Sequence, residues 1–189
     1  MLRGLILKNR SYRRFMSNVV IDREKIFSFI DLARLSPASA NRQAIKFMIS
    51  NAEPMNDKVF RCLKWAAYLK DWDGPAEDER PSAYIVVLGD KEISQSFNTD
   101  AGIAMQSILL GAVESGFGGC IFGSVDRKLL QAELSIPEHF EILFVMALGK
   151  PNEKVVIEDA SADGDIKYWR DESGIHHVPK RSLNELVIN

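Results

Sequence analysis

Little in this chain stands out by excess, and what it lacks removes several function classes. Cysteine is scarce: Cys62 and Cys120 lie far apart with no C-x-x-C pair, so neither a disulfide framework nor a zinc cluster is expected. A reducing, cytoplasmic setting is the simplest reading. Long hydrophobic runs are missing. The most apolar stretch, 103–113, has the length of a buried core helix rather than a membrane span, and no secretory signal is expected at the start. A formal charge of −2 gives no general attraction to nucleic acid or acidic membrane. No GxSxG elbow is present, and the histidines are poorly placed for an acid–base triad. His139 follows Pro137 in a loop, while His176 and His177 sit in a polar tail, which suits surface or structural roles. No further ligands at matched spacing point to a metal. Repeats and low-complexity tracts are absent as well.

The remaining pattern reads as one domain over 1–189, a size that can bury a real core. Asp22 is placed to cap a helix over 24–35, with Ile26, Phe29, Ile30 and Ala33 on one face and Pro37 as its stop. Alternation of Ile45, Phe47 and Ile49 predicts a strand with one buried face. A second amphipathic helix is expected over 58–70, then an exposed loop over 71–81, rich in Asp, Glu, Gly and Pro. The apolar run 84–88 predicts a strand covered on both faces. Segment 99–115 is apolar on nearly all sides, a helix for the middle of the protein or a subunit interface, with Gly116 at its C-terminal end. A short strand at 120–122, a helix over 126–134, a strand over 142–148 and a last helix over 181–187 complete the reading, with 152 onward polar and weakly periodic. Alternating helices and strands fix the class as α/β or α+β without choosing between them.

Four segments carry chemistry. Arg10-Ser11-Tyr12-Arg13-Arg14-Phe15 sets three guanidinium forks and a hydroxyl within five residues, equipment for a phosphate dianion. Arg14 alternates out of the Ser11/Arg13 register and reads as a surface charge. Ser36-Pro37-Ala38-Ser39-Ala40-Asn41-Arg42-Gln43 precedes the first strand; Gln43 at a strand entrance is more than a turn residue needs. Asp100 to Gln106 leads through a helix to Gly116, Gly118, Gly119 and Gly123. These glycines follow a helix and open a strand, the reverse of a dinucleotide fingerprint. They fit either a helix cap with a tight turn or close backbone approach to a flat ligand. Asp100 near a helix start is accounted for by the helix dipole. Pro179-Lys180-Arg181 adds a basic segment near the end. Trp65, Tyr68 and Trp72 precede the acidic loop and suit either a substrate-pocket wall or ordinary packing.

In this order, Arg-Ser-x-Arg-x-Phe, Ser-Pro-x-Ser-x-Asn-x-Gln, the Asp100-to-Gly123 stretch and the terminal basic residues resemble the FMN-dependent nitroreductase family over about 9–181. The resemblance implies an α+β fold with a mixed, mainly antiparallel central sheet wrapped by helices, and an interlocked homodimer binding FMN between subunits. It implies NADH or NADPH as donor and a nitroaromatic, quinone or enone as acceptor, in ping-pong fashion. The chemistry is carried by flavin N5, so no catalytic side chain is required. It assigns Arg10, Ser11 and Arg13 to the phosphate, with Lys180 or Arg181 closing from the other side. Pro37, Ala38 and Ser39 would lie against the ring, Asn41 and Gln43 would make polar ring and ribityl contacts, and backbone amides from Gly119, Cys120, Ile121, Phe122 and Gly123 would lie near the ring. Asn9 stands where the family often has a basic residue, and Ala44-Ile45 replace its common Pro-Trp. A flavin-binding carrier or sensor with little turnover, or the same fold with other flavin chemistry such as flavin reduction or dehalogenation, fits the same motifs.

Overall fold

A computed structural model describes residues 2–161 and 164–188. Helices α1 (Leu2–Lys8) and α2 (Arg23–Arg34) come first. The side chain of Asp22 accepts a hydrogen bond from the Lys25 amide at the start of α2, as expected of an N-cap. Strand β1 (Ile45–Ser50), helix α3 (Met55–Phe60), strand β2 (Ala83–Asp90) and helix α4 (Asn98–Glu114) follow. Next come β3 (Gly118–Phe122), α5 (Arg127–Glu133) capped by Asp126, and β4 (Phe140–Gly149). The four strands form one antiparallel sheet in the order β1-β2-β4-β3.

Strand β2 is buried along its whole length because both faces of the sheet are covered. Ile85 and Val87 join Phe29, Ile108 and Met146 in a core beneath α2 and α4. Tyr84, Val86 and Leu88 join Val59, Leu130 and Val145 in a second core on the opposite face. Helices α2 and α4 approach so closely that a Cβ on Gly111 would strike the Leu32 side chain. Strand β1 departs from expectation: Ile45 through Ile49 are all half-buried, because β1 is the outer strand and its apolar side chains flank an open groove.

Two further expectations change. The helix over 58–70 is instead α3, ending at Phe60. Beyond it the chain is drawn off the helical path by tertiary contacts: Leu63 bridges to Val125, Trp65 packs against Phe122 with ring centroids 4.6 Å apart, and Ala66 takes φ +32°. The polar tail is also more ordered than its periodicity suggests. Strands β5 (Val155–Asp159), β6 (Trp169–Arg170) and β7 (His176–Lys180) form a second sheet in the order β5-β7-β6, followed by the one-turn helix α6 (Leu183–Leu186). Within 71–81 only a single 3₁₀ turn, Glu77–Glu79, interrupts the loop. Among the described residues no helix is long and apolar enough to cross a membrane. The mixed, mainly antiparallel α+β architecture is the one expected.

Candidate active site

After α1 the chain runs extended against the edge of the main sheet. Ser11 bridges to Gly119, the Tyr12 amide donates to the Gly119 carbonyl at 3.0 Å, and the fully buried Phe15 bridges to Pro151. Space for this contact comes from missing side chains: a Cβ on Gly118 would meet the Tyr12 ring. Two segments more than a hundred residues apart, the arginine-rich start and the glycine strand, are thereby joined. Cys120 follows on the same strand, and burial pushes its thiol upward, opposed by Arg13 and Ser11. Ile121 and Gly123 are exposed, Phe122 is buried, and a Cβ on Gly123 would meet nothing closer than Phe144 at 3.8 Å.

The three arginines have separate fates. Arg10 donates through Nη2 to the Ile6 carbonyl at 2.7 Å and keeps a buried Nε with no partner among the described residues. Arg13 is only 9% exposed. Its Nη1 lies 3.2 Å from both the Ser11 carbonyl and His176 Nε2, and its guanidinium sits 4.5 Å above the Tyr168 ring. Arg14, read from the sequence as a surface charge, is partly enclosed: its Nε is 3.3 Å from Glu79 Oε2 and its guanidinium faces Trp72 at 5.8 Å.

The second expected segment forms the turn between α2 and β1. Ser39 donates from its amide (2.9 Å) and its hydroxyl (2.7 Å) to one oxygen of Asp100, which is 7% exposed in the first turn of α4. Asp100 therefore does more than face the helix dipole; it fastens the turn. Ala40, Asn41 and Gln43 all adopt positive φ, at 49°, 53° and 53°, a conformation that costs side-chain-bearing residues about 1 kcal/mol or more each. The Gln43 side-chain amide folds back to Asn41 at 3.3 Å. Pro37, Ala38 and Gln43, with Asp100, Phe27 and Phe47, line a groove of about 980 Å³.

Helix α4 links the two halves. Ser39 meets it at Asp100, while Asn9 donates to Gln106 at 3.2 Å, about 9 Å further along the helix axis. Lys180 and Arg181 stand apart. Lys180 ends β7, about 13 Å along the strand from the His176 that touches Arg13. Arg181 is paired to Glu185 at 3.2 Å inside the α6 capping box. Neither hydrogen-bonds to Arg10 or Ser11 among the described residues.

Sequence reasoning did not foresee the residues that close over Arg13. Glu153, with 2% side-chain exposure, accepts hydrogen bonds from the Arg13 amide, from the Arg14 amide at 3.2 Å and from Arg170 Nη2 at 3.1 Å. Arg170 also lies 4.8 Å from the Trp72 ring centroid. His176 is 1% exposed, and burial, with Arg13 and Arg170 adding repulsion, lowers its pKa to about 4. Tyr68 meets Tyr168 at 4.9 Å, so the aromatic segment before the acidic loop touches the C-terminal sheet. The adjacent aromatics Tyr168 and Trp169 were the available strand signal.

Comparison with known proteins bears on the fold and the family. A family model described as "Nitroreductase family" matches residues 6–150. A nitroreductase family protein from Streptococcus pneumoniae TIGR4 superimposes over 100% of both chains with TM-score 0.72 at 14% identity. An FMN-dependent nitroreductase from Clostridium difficile R20291 shares 23% identity, with 82% of this chain and 89% of that one covered and TM-score 0.64. The NADPH:FMN oxidoreductase of Vibrio harveyi, solved with NAD+, gives TM-score 0.63 at 23% identity, with 80% and 69% covered. At these identities the superpositions establish the shared fold, while the family match takes in the N-terminal arginines, the Ser39 turn, α4 and the glycine strand together. With well over half of its length matched by that model, the chain belongs to the nitroreductase family.

Proposed function

We propose that the protein is an FMN-dependent oxidoreductase that takes a hydride from NADH or NADPH and passes it to an electron-poor acceptor of the nitroaromatic, quinone or enone type. Donor and acceptor use one space in turn, which makes the kinetics ping-pong. The observation that carries this reading is the bridge between Ser11 and Gly119, because it joins an anion-binding donor set to a strand edge with little side chain in the way.

The residues present fit the cofactor. Arg10 retains a buried Nε without a partner among the described residues, next to exposed Ser11, and such a donor pair suits a phosphate. Arg13 commits Nη1 to Ser11 and His176, which leaves Nε and Nη2 for an anion. Three left-handed residues at the Ser39 turn are backbone strain of the kind that gathers at ligand sites. Bound FMN would supply hydride acceptance and donation at N5. Arg10, Ser11 and Arg13 hold the phosphate, and Lys180 and Arg181 join them only if the tail shifts or a second subunit supplies them. Pro37, Ala38, Ser39, Asn41 and Gln43 orient the ring and ribityl chain, with Asp100 keeping Ser39 in place. Among Gly119, Cys120, Ile121, Phe122 and Gly123, the amides that face away from β4 would lie near the ring and offer hydrogen bonds to negative charge on it.

A homodimer belongs to this proposal. Ile103 on α4, Phe27 and Leu35 near the groove, and Leu183, Leu186 and Val187 at the tail are exposed, more apolar surface than these elements need alone. Absorbance of the natively purified protein tests the cofactor: flavin bands are expected, and a colourless sample that takes up no added FMN overturns the proposal. Stopped-flow mixing with NADH or NADPH then separates an enzyme, which bleaches rapidly, from a flavin carrier, which stays yellow over minutes. Sedimentation is expected to give a dimer; a monomer that keeps FMN contradicts the shared site.

A further inference from the structure

Arg13 is buried, yet the groups that hold its guanidinium carry no charge. Nη1 donates to the Ser11 carbonyl and to His176 Nε2, each at 3.2 Å, and the Tyr168 ring lies beneath it at 4.5 Å. Among the described residues this guanidinium forms no ion pair. Glu153 accepts instead from the Arg13 and Arg14 amides and from Arg170. A guanidinium can only donate, so His176 Nε2 is the acceptor and the ring is neutral, with its proton on Nδ1. Burial, with repulsion from Arg13, Arg170 and His177, favours the same uncharged form. That tautomer leaves a buried Nδ1–H with no acceptor among the described residues. A donor buried without a partner is destabilising, and an apolar side chain would fill the space without that cost. Histidine is a poor choice here for packing alone. It is a good one for holding a cation without neutralising it.

We propose that His176 is a positioning residue for Arg13: it fixes the guanidinium through Nη1 and leaves its full charge, with Nε and Nη2, for the phosphate of the cofactor. Resting on the flavin reading of the site, this role adds a contribution from β7, beyond the 6–150 span that the family model matches. A carboxylate at 176 would orient Arg13 but cancel its charge. An aliphatic side chain would spare the charge but let the guanidinium turn. A neutral acceptor does both tasks. Tyr168 supports the pair from one side, since its ring also meets His176 with centroids 5.2 Å apart. The sequence hides this contact because its two members lie 163 residues apart.

The test is flavin-fluorescence titration of full-length protein stripped of flavin, with FMN and with riboflavin, which lacks the phosphate. His176→Leu and His176→Glu should each weaken FMN binding at least tenfold and change riboflavin binding less than about twofold, whereas His176→Gln, a neutral acceptor, should stay within about threefold of the parent for FMN. A role in folding alone would weaken both flavins alike, and glutamate, able to pair with Arg13, would then be the mildest change. In an Arg13→Ala background, His176→Glu should cost FMN less than a further twofold or so, because its effect runs through Arg13. Should His176→Leu fail to fold, the glutamate and glutamine variants decide the matter. Unchanged FMN affinity in the glutamate variant, equal losses for both flavins, or a full additional loss in the Arg13→Ala background overturns the role of His176 and leaves the flavin reading standing. A parent protein that binds neither flavin overturns both.

Discussion

From Ala83 to Leu88, β2 feeds apolar side chains alternately into two cores, and no charge intervenes. Strand β7 is built differently. His176 meets Arg13, and His177 lies between Glu158 at 3.0 Å and Asp171 at 3.3 Å with Trp169 stacked on its ring at 4.1 Å. The main sheet is held by burial, which is non-directional and indifferent to protonation near neutrality. The C-terminal sheet is held by charge-assisted hydrogen bonds and ring contacts, which depend on geometry and protonation. The part of the chain that covers Arg13 is therefore the part that pH and single polar substitutions can loosen.

The largest effect expected is in the main sheet. Ile85→Ala, at a fully buried position, should cost about 3–4 kcal/mol in urea unfolding, with little variation between pH 5 and 8. A loss that changes strongly with pH would blur the contrast between the two sheets. Glu153→Gln should cost about 3 kcal/mol, because it removes the acceptor charge shared by Arg170 and two backbone amides. The loss should be local: hydrogen exchange should speed up at 176–180 while 84–88 stay protected. Equal acceleration in both segments would show that the sheets open as one unit.

His176 gives the next largest effect. Its folded pKa of about 4 lies below the unfolded value near 6.5, so in that window the unfolded chain binds more protons. Stability falls as pH drops from 6.5 toward 4, by about 2 kcal/mol at pH 5, and His176→Gln should flatten the curve. The smallest effect, of opposite sign, belongs to His177. Hydrogen bonding to Glu158, supported by Asp171, raises its pKa against the opposing cost of burial. The stabilisation it contributes is complete below the unfolded pKa and is lost as pH rises through the folded value. His177→Gln should thus weaken the C-terminal sheet at pH 6 and change little at pH 9, as read by exchange at 176–180.

Local pattern made much of this legible. Asp22 and Asp126 mark helix starts because a cap needs only neighbouring amides, and α4 is visible because an all-apolar helix has to be buried. Expectation failed where distant residues dominate. Nothing between Lys58 and Lys70 reveals that Trp65 has Phe122 to pack against, and that contact outweighs the helical spacing. The segment of β5–β7 reads as a polar, weakly periodic tail because the partners of its charges, Arg13 and Glu153 among them, lie elsewhere in the chain.

By itself the sequence determined the helix caps, the doubly covered strand, the α+β class through its motifs, and the short basic and small-residue segments, since each depends on neighbours along the chain. Only the tertiary structure decided which of those segments meet. It placed Ser11 on Gly119, fastened Ser39 to Asp100, enclosed Arg13 beside His176 and left Lys180 and Arg181 apart. Contacts between residues far apart in the chain depend on how sheet register and helix packing fold it back on itself, and that register follows from the whole pattern of burial rather than from any one motif.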